Sequence, residues 1–93
     1  MKNPLQTAKE SFASTLGIPR EIILGSSFVS MLSNKNIQIE NHQGIIKYTP
    51  STVEVKTSQG KIKFKGTDLS IESLITEEIL VTGTINSVEF FYE

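Results

Sequence analysis

Cysteine is absent from the chain. That removes disulfide staples, thiolate metal sites, cysteine nucleophiles and iron–sulfur clusters together, and it fits a reducing cytoplasm. Histidine occurs once, at His42, so no His-rich metal site can be assembled, and no nucleophile–base–acid set is visible by spacing. Long apolar runs are missing too. None approaches the ~18–20 residues that a membrane-spanning helix needs, and Met1 to Leu16 has a single early lysine, Lys2, with no continuous apolar stretch. A signal peptide is therefore not expected. Nor is there a basic excess: nine Lys and Arg stand against ten Asp and Glu, a formal net charge of -1. A general nucleic-acid or polyanion binder would carry more positive charge.

What the chain does have is a rhythm. From Phe28 onward, apolar residues alternate with polar ones in short runs, and each run stops at a cluster of Gly, Asn, Ser or Asp. Period-two alternation sends one set of side chains to a buried face and the other to water. Several such runs within 93 residues predict one small antiparallel β domain. A chain of this length buries about 60–65% of its unfolded surface, so self-association would help it.

Residues 1–24 read differently from residues 25–93. Asn3 fits an N-cap and Pro4 the first helical position. Leu5, Ala8, Phe12 and Leu16 recur at helical spacing as one apolar stripe. Gly17 fits the C-cap and Pro19 stops the helix. Such a helix is marginal alone, so its stripe must dock on the sheet or on a partner. Pro19 to Leu24 predicts a second short helical turn with Ile22 and Ile23 pointing inward.

In the β domain, Phe28 to Leu32 and Asn36 to Glu40 form a hairpin with Met31 opposite Ile37 and Val29 opposite Ile39. Ile45 to Thr49 is expected to pair with the second strand, Ile39 opposite Ile46 and Ile37 opposite Tyr48. Thr52 to Lys56 and Lys61 to Lys65 make the clearest hairpin, with Val55 facing Ile62, Val53 facing Phe64 and Glu54 facing Lys63. Gly66-Thr67-Asp68 is read as a turn into Leu69 to Ser73, and a bulge or bend is expected at Ser73-Leu74-Ile75. Thr76-Glu77-Glu78 is a polar corner. Ile79 to Ile85 and Val88 to Tyr92 are read as a last hairpin about Asn86-Ser87, which puts Val81, Gly83 and Ile85 opposite Tyr92, Phe90 and Val88. The expected fold is all-β with an N-terminal helix: a small antiparallel meander forming a sandwich or a partly closed barrel. A short β-solenoid is the alternative. It ranks lower because the linkers are turn-like and no motif repeats beyond a loose Gly-x-Ile.

Little chemistry is left over. His42, beside Glu40 and Asn41, could serve as a base or ligand, but His and Asn also shape turns and bond their backbone, and the turn reading weighs more. Glu77 and Glu78 are adjacent, which in a strand sends them to opposite faces, so they suit a solvated corner. Lys61, Lys63 and Lys65 line one strand face and, with Lys47 and Lys56, could bind phosphate, anionic lipid or an acidic partner. The plainer reading is a soluble face that resists edge pairing. No aromatic residue is expected among them, which argues against a single-stranded nucleic-acid platform. The glycines match neither phosphate-loop nor dinucleotide spacing. Phe90 and Tyr92 are expected inward, with Ile62, Phe64, Ile71 and Val81 in one dry interior. Phe91 points outward, as a contact residue or under the helix.

Three stretches taken in order resemble the YabP/YqfC family of sporulation proteins: Ile39-Glu40-Asn41-His42-Gln43-Gly44-Ile45, Gly60 through Ile71 with its strand–turn–strand, and Glu77 through Ile85 followed by Val88-Glu89-Phe90. Leu16-Gly17-Ile18-Pro19 and the helix before it look like the YqfC branch. Gln43 departs from the pattern, which often has a basic residue there, and this weakens any contact of that turn with an acidic group. The resemblance implies a small protein of endospore-forming bacteria, made in the mother cell and needed for spore development. It also implies a larger membrane-associated sporulation protein as partner, and no catalytic residue, metal or cofactor. The expectation is a non-enzymatic assembly or adaptor protein in the mother-cell cytoplasm, held at the forespore-surrounding membrane through its partner. A second copy of the chain is a further candidate partner, and nucleic acid is not expected. The alternative is a β module that binds an anionic lipid, polymer or cell-wall fragment through its lysine strand. Candidate contact residues are Phe12, His42, Lys61, Lys63, Lys65 and Phe91.

Overall fold

The computed structural model describes residues 4–75 and 78–92. Helices α1 (Pro4–Leu16) and α2 (Arg20–Gly25) come first. Strands β1 (Phe28–Leu32), β2 (Asn36–Glu40), β3 (Ile45–Thr49), β4 (Thr52–Thr57), β5 (Gly60–Ile75) and β6 (Glu78–Tyr92) follow. Asn3, Thr76 and Glu77 lie outside the described residues, as do the side chains of Leu5 and Ala8.

α1 ends as its sequence dictates. Gly17 takes φ 70°, a left-handed conformation that costs glycine little. Its N–H donates to the Ser14 carbonyl, and the Ile18 N–H reaches back to the Ala13 carbonyl. This double closure satisfies carbonyls that the helix end would leave open. α1 is turned slightly from the expected stripe. Ala13 is buried while Phe12 and Leu16 are largely exposed, and Lys9 Nζ donates to the Ser26 carbonyl at 3.2 Å. In α2, Ile23 is partly buried but Ile22 is exposed. Consecutive helical residues point about 100° apart, so only one of the pair can face inward.

The strands form one antiparallel sheet in the order β1-β2-β6-β5-β4-β3, and the sheet does not close. The local hairpins have the expected register: Val29 opposite Ile39 and Met31 opposite Ile37, Val55 opposite Ile62, Val53 opposite Phe64 and Glu54 opposite Lys63. Three longer-range expectations are corrected. First, β2 does not pair with β3. It pairs with β6, Ile37 opposite Val81 and Ile39 opposite Ile79. Asn41-His42-Gln43-Gly44 is a crossing rather than a hairpin turn: the Gln43 N–H donates to the Lys56 carbonyl and the Lys56 N–H to the Gly44 carbonyl, which carries the chain to the far side of the sheet beside β4. Second, Gly66-Thr67-Asp68 does not reverse the chain, because β5 runs through it. Third, Asn86-Ser87 does not turn either, because β6 runs straight on. Val81 therefore faces Ile71, and Phe90 faces Ile62.

Both long strands bend where the two misread turns lie. Their register shifts at Lys65/Gly66, at Thr67/Ser70 and at Ile71/Ser73, the last at the edge of the expected Ser73-Leu74-Ile75 irregularity. Asp68 takes φ 54° and Gly83 φ 133° across the ladder from each other. Extra residues of this kind bend a strand and increase its twist. The bend divides the sheet into two halves of similar plan. In one, hairpin β1–β2 lies beside the first part of β6; in the other, hairpin β3–β4 lies beside the first part of β5. Both halves contribute to a single core: Ile37, Ile39, Ile79 and Val81 from one, Val53, Val55, Ile62, Phe64 and Ile85 from the other, with Leu69 at the bend.

Candidate functional site

Two seams remain where the bent sheet fails to close, and the sequence treats them differently. At one seam, β3 meets the later part of β5, and the Ile71 N–H donates to the Tyr48 hydroxyl at 3.1 Å. At the other, β1 stands near the later part of β6. Among the described residues no hydrogen bond joins β1 to Val88–Tyr92, and those residues have a ladder partner on one side only, β5. An open groove of about 500 Å³ occupies this second seam. Its walls are Phe28 and Val29 of β1, Ile62 of β5 and Phe90, Phe91 and Tyr92 of β6, with Phe12 of α1 at the rim.

Alternation explains part of this wall. Phe90 and Tyr92 continue the inward-facing set of β6 after Val88, but the core ends before reaching them. They are 55% and 75% exposed, which corrects the expectation that they are buried. Ile62, Phe64 and Val81 do share the interior, and Ile71 packs against it. Phe12 meets Phe28 edge-on, ring centroids 6.0 Å apart, a favoured aromatic arrangement.

The lysine strand is not a free cationic face. Lys61 Nζ lies 3.0 Å from Glu54 Oε1 and 5.1 Å from the centre of the Phe91 ring, so an aromatic side chain does stand among the lysines, contrary to expectation. Lys65 Nζ lies 3.4 Å from Glu89 Oε1. Lys63 is flanked in register by Glu54 and Glu89. Each lysine thus has a carboxylate neighbour, which reduces the local field. The hydrogen bond from Lys61 is the main reason the Glu54 carboxyl titrates below its usual range. Its partial desolvation opposes that shift, and the charges of Lys61, Lys63 and Lys47 add to it. A carboxyl with a lowered folded-state pKa stabilises the fold above the unfolded value, about 4.3, and that contribution is lost as pH falls through the folded value. We therefore expect Glu54→Gln to melt earlier than the wild type at neutral pH and to lose less on acidification. Melting curves between about pH 7 and pH 3 check this; parallel acid limbs would refute it.

His42 stands apart from the groove. Its Nδ1 accepts the Gly44 N–H at 2.9 Å, so the imidazole shapes the crossing between the two halves. That bond leaves Nε2 to carry the proton of the neutral ring. His42 Nε2 and Glu40 Oε2 are buried without a hydrogen-bond partner among the described residues. Among the described residues no three His, Asp or Glu side chains converge as a metal site would require. The structure therefore brings Phe12, Lys61 and Phe91 together and leaves His42, Lys63 and Lys65 outside the groove. It adds Phe28, and also Phe90 and Tyr92, which alternation alone assigned to the strand interior.

A YabP family model matches residues 24–93. The chain belongs to the YabP family. Within that span lie the whole sheet and every groove residue except Phe12. An uncharacterized protein of Bacillus subtilis (strain 168), YqfC, is similar to this YabP-family chain: 31% identical over 75 residues, covering 81% of each. No solved structure matches. No helix among the described residues is long and apolar enough to cross a membrane.

Proposed function

We propose that this YabP-family protein is a non-catalytic adaptor of endospore formation that holds a protein partner in the open seam. The observation that carries this reading is the groove itself. It joins exposed Phe90, Phe91 and Tyr92 to an end of β6 that is paired on one side only. Such an edge accepts an extended segment through main-chain hydrogen bonds, while neighbouring pockets take alternate side chains. A volume of about 500 Å³ lies within the range of ligand-sized clefts. The resemblance supports the sporulation setting, the mother-cell cytoplasm, and a membrane-associated sporulation protein as the partner.

The test is capture of a membrane-associated sporulation protein from sporulating cells by the tagged chain, compared with Phe12→Glu and Phe91→Glu. Both side chains are substantially exposed and neither belongs to the buried core, so the variants should keep the β fold, which far-UV circular dichroism checks. We expect them to lose the partner and to lower spore yield. Retained capture and normal spores in both variants would overturn the reading. The anionic-ligand alternative is disfavoured by the carboxylates beside Lys61, Lys63 and Lys65.

A further inference from the structure

The strand order β1-β2-β6-β5-β4-β3 reads the same from either end once β1 is matched to β3, β2 to β4 and β6 to β5. The match extends to single residues. Ile37 faces Val81 as Val53 faces Phe64, and Ile39 faces Ile79 as Val55 faces Ile62. The hairpin turns correspond as well. The carbonyls of Lys35 and Asn34 accept the N–H groups of Gly83 and Ile85, and those of Ser51 and Pro50 accept the N–H groups of Gly66 and Leu69. Each turn thus caps the bend of the long strand beside its hairpin, and a pseudo-two-fold axis runs between β5 and β6.

The axis relates the two seams to each other. Tyr48 of β3 corresponds to Met31 of β1, because Tyr48 faces Val53 and Met31 faces Ile37. Ile71 corresponds to Val88, because Ile71 faces Val81 and Val88 faces Phe64. The Val88 backbone is turned toward the open seam. Lys56 bonds through its N–H and its carbonyl to Gly44 and Gln43, so both groups point away from β5. Antiparallel pairs alternate between bonded and non-bonded. Counted from Lys56 and Lys61, Val53 and Phe64 are a bonded pair. Phe64 therefore directs its N–H and carbonyl to β4, and Val88 opposite it directs its own toward β1. At the other seam the Tyr48 hydroxyl accepts the Ile71 N–H at 3.1 Å. Met31 offers only a thioether, a weak acceptor, and among the described residues no hydrogen bond joins β1 to Val88.

We infer that this one position on the outer strand selects which seam stays open. Tyr48 latches the seam between β3 and β5, and Met31 at the equivalent place leaves the seam between β1 and β6 unlatched. The groove is the unlatched member of a matched pair. The latch acts on the sheet alone, with or without a partner in the groove, and is independent of the adaptor role. Met31 is about half exposed, as Tyr48 is, so a phenol ring has room at either place.

Amide hydrogen exchange of the full chain, read residue by residue by NMR, tests the latch. In the wild type, Ile71 is expected to be protected at least about fivefold more than Val88, the worth of one net hydrogen bond. Tyr48→Phe removes only the hydroxyl and is expected to cut protection at Ile71 by at least about fivefold while leaving Val88 unchanged. Met31→Tyr is expected to raise protection at Val88 by at least about fivefold while leaving Ile71 unchanged. General destabilisation would instead shift both amides together. Far-UV circular dichroism verifies folding. Should Met31→Tyr fail to fold, the wild-type comparison and Tyr48→Phe decide the matter. Equal protection of Ile71 and Val88 in the wild type would overturn the proposal. So would an unchanged Ile71 in Tyr48→Phe, or a folded Met31→Tyr in which Val88 exchanges as before.

Discussion

Phe64→Ala is expected to destabilise the protein by about 3–5 kcal/mol, a large share of the ~5–15 kcal/mol that holds a typical small domain folded. Phe64 heads the fully buried side chains by volume, with no exposed surface. It faces Val53 on one neighbouring strand and Val88 on the other, and it belongs to the cluster that both halves of the sheet share. Truncating it leaves a cavity that strands fixed by ladders on both sides cannot readily fill, which puts the cost toward the upper end of the range. Urea denaturation monitored by circular dichroism measures the loss, and Phe64→Leu, which keeps most of the volume, should lose less. A loss under about 1 kcal/mol would mean that the interior is not shared as described.

Gly66→Ala should also be damaging, for a different reason. Gly66 sits where the register of β5 shifts, and a Cβ there would run into the Thr84 carbonyl of β6. The obstacle is backbone at the bend rather than the flexible end of a side chain. Relief therefore requires the two long strands to separate locally, at about 1–3 kcal/mol or more. Gly25→Ala is the matched control. Nothing lies within 4 Å of its Cβ position and its φ is not left-handed, so that change should be neutral or slightly stabilising. Equal melting temperatures for the two alanine variants would refute the close approach at the bend.

The sequence was most informative at short range. The spans of β1 to β4 and the registers of the two local hairpins follow from alternation, because a one-residue slip would turn every apolar side chain to water. The long strands were cut in two for an instructive reason. Inward-facing positions change parity along β5, from Ile62 and Phe64 to Leu69 and Ile71, and along β6, from Val81 and Ile85 to Val88. A turn produces such a change, and so does an extra residue in a continuous strand. Gly, Asp, Asn and Ser favour both structures. Nothing local decides between them, and the bend depends on partners far along the chain. The pairing of β2 with β6 was illegible for the same reason: Ile39 is as complementary to Ile46 as to Ile79, and only the crossing at Asn41–Gly44 selects the latter. The groove inherits these errors. Phe12 and Phe91 could be singled out as unplaced aromatics, whereas Phe90 and Tyr92 could not, because their alternation is that of core residues and their exposure arises only where the sheet runs out.

The bend in β5 and β6 also bears on how the protein opens. The two layers are not separate sheets laid together, since each is cut from the same pair of strands. Fraying one layer peels the strands that template the other, so neither can loosen as an independent unit. Slow amide exchange should therefore report one opening event for Ile37, Val53, Phe64 and Val81 alike, and motion that admits a partner is confined to β1, the end of β6 and the helical arm.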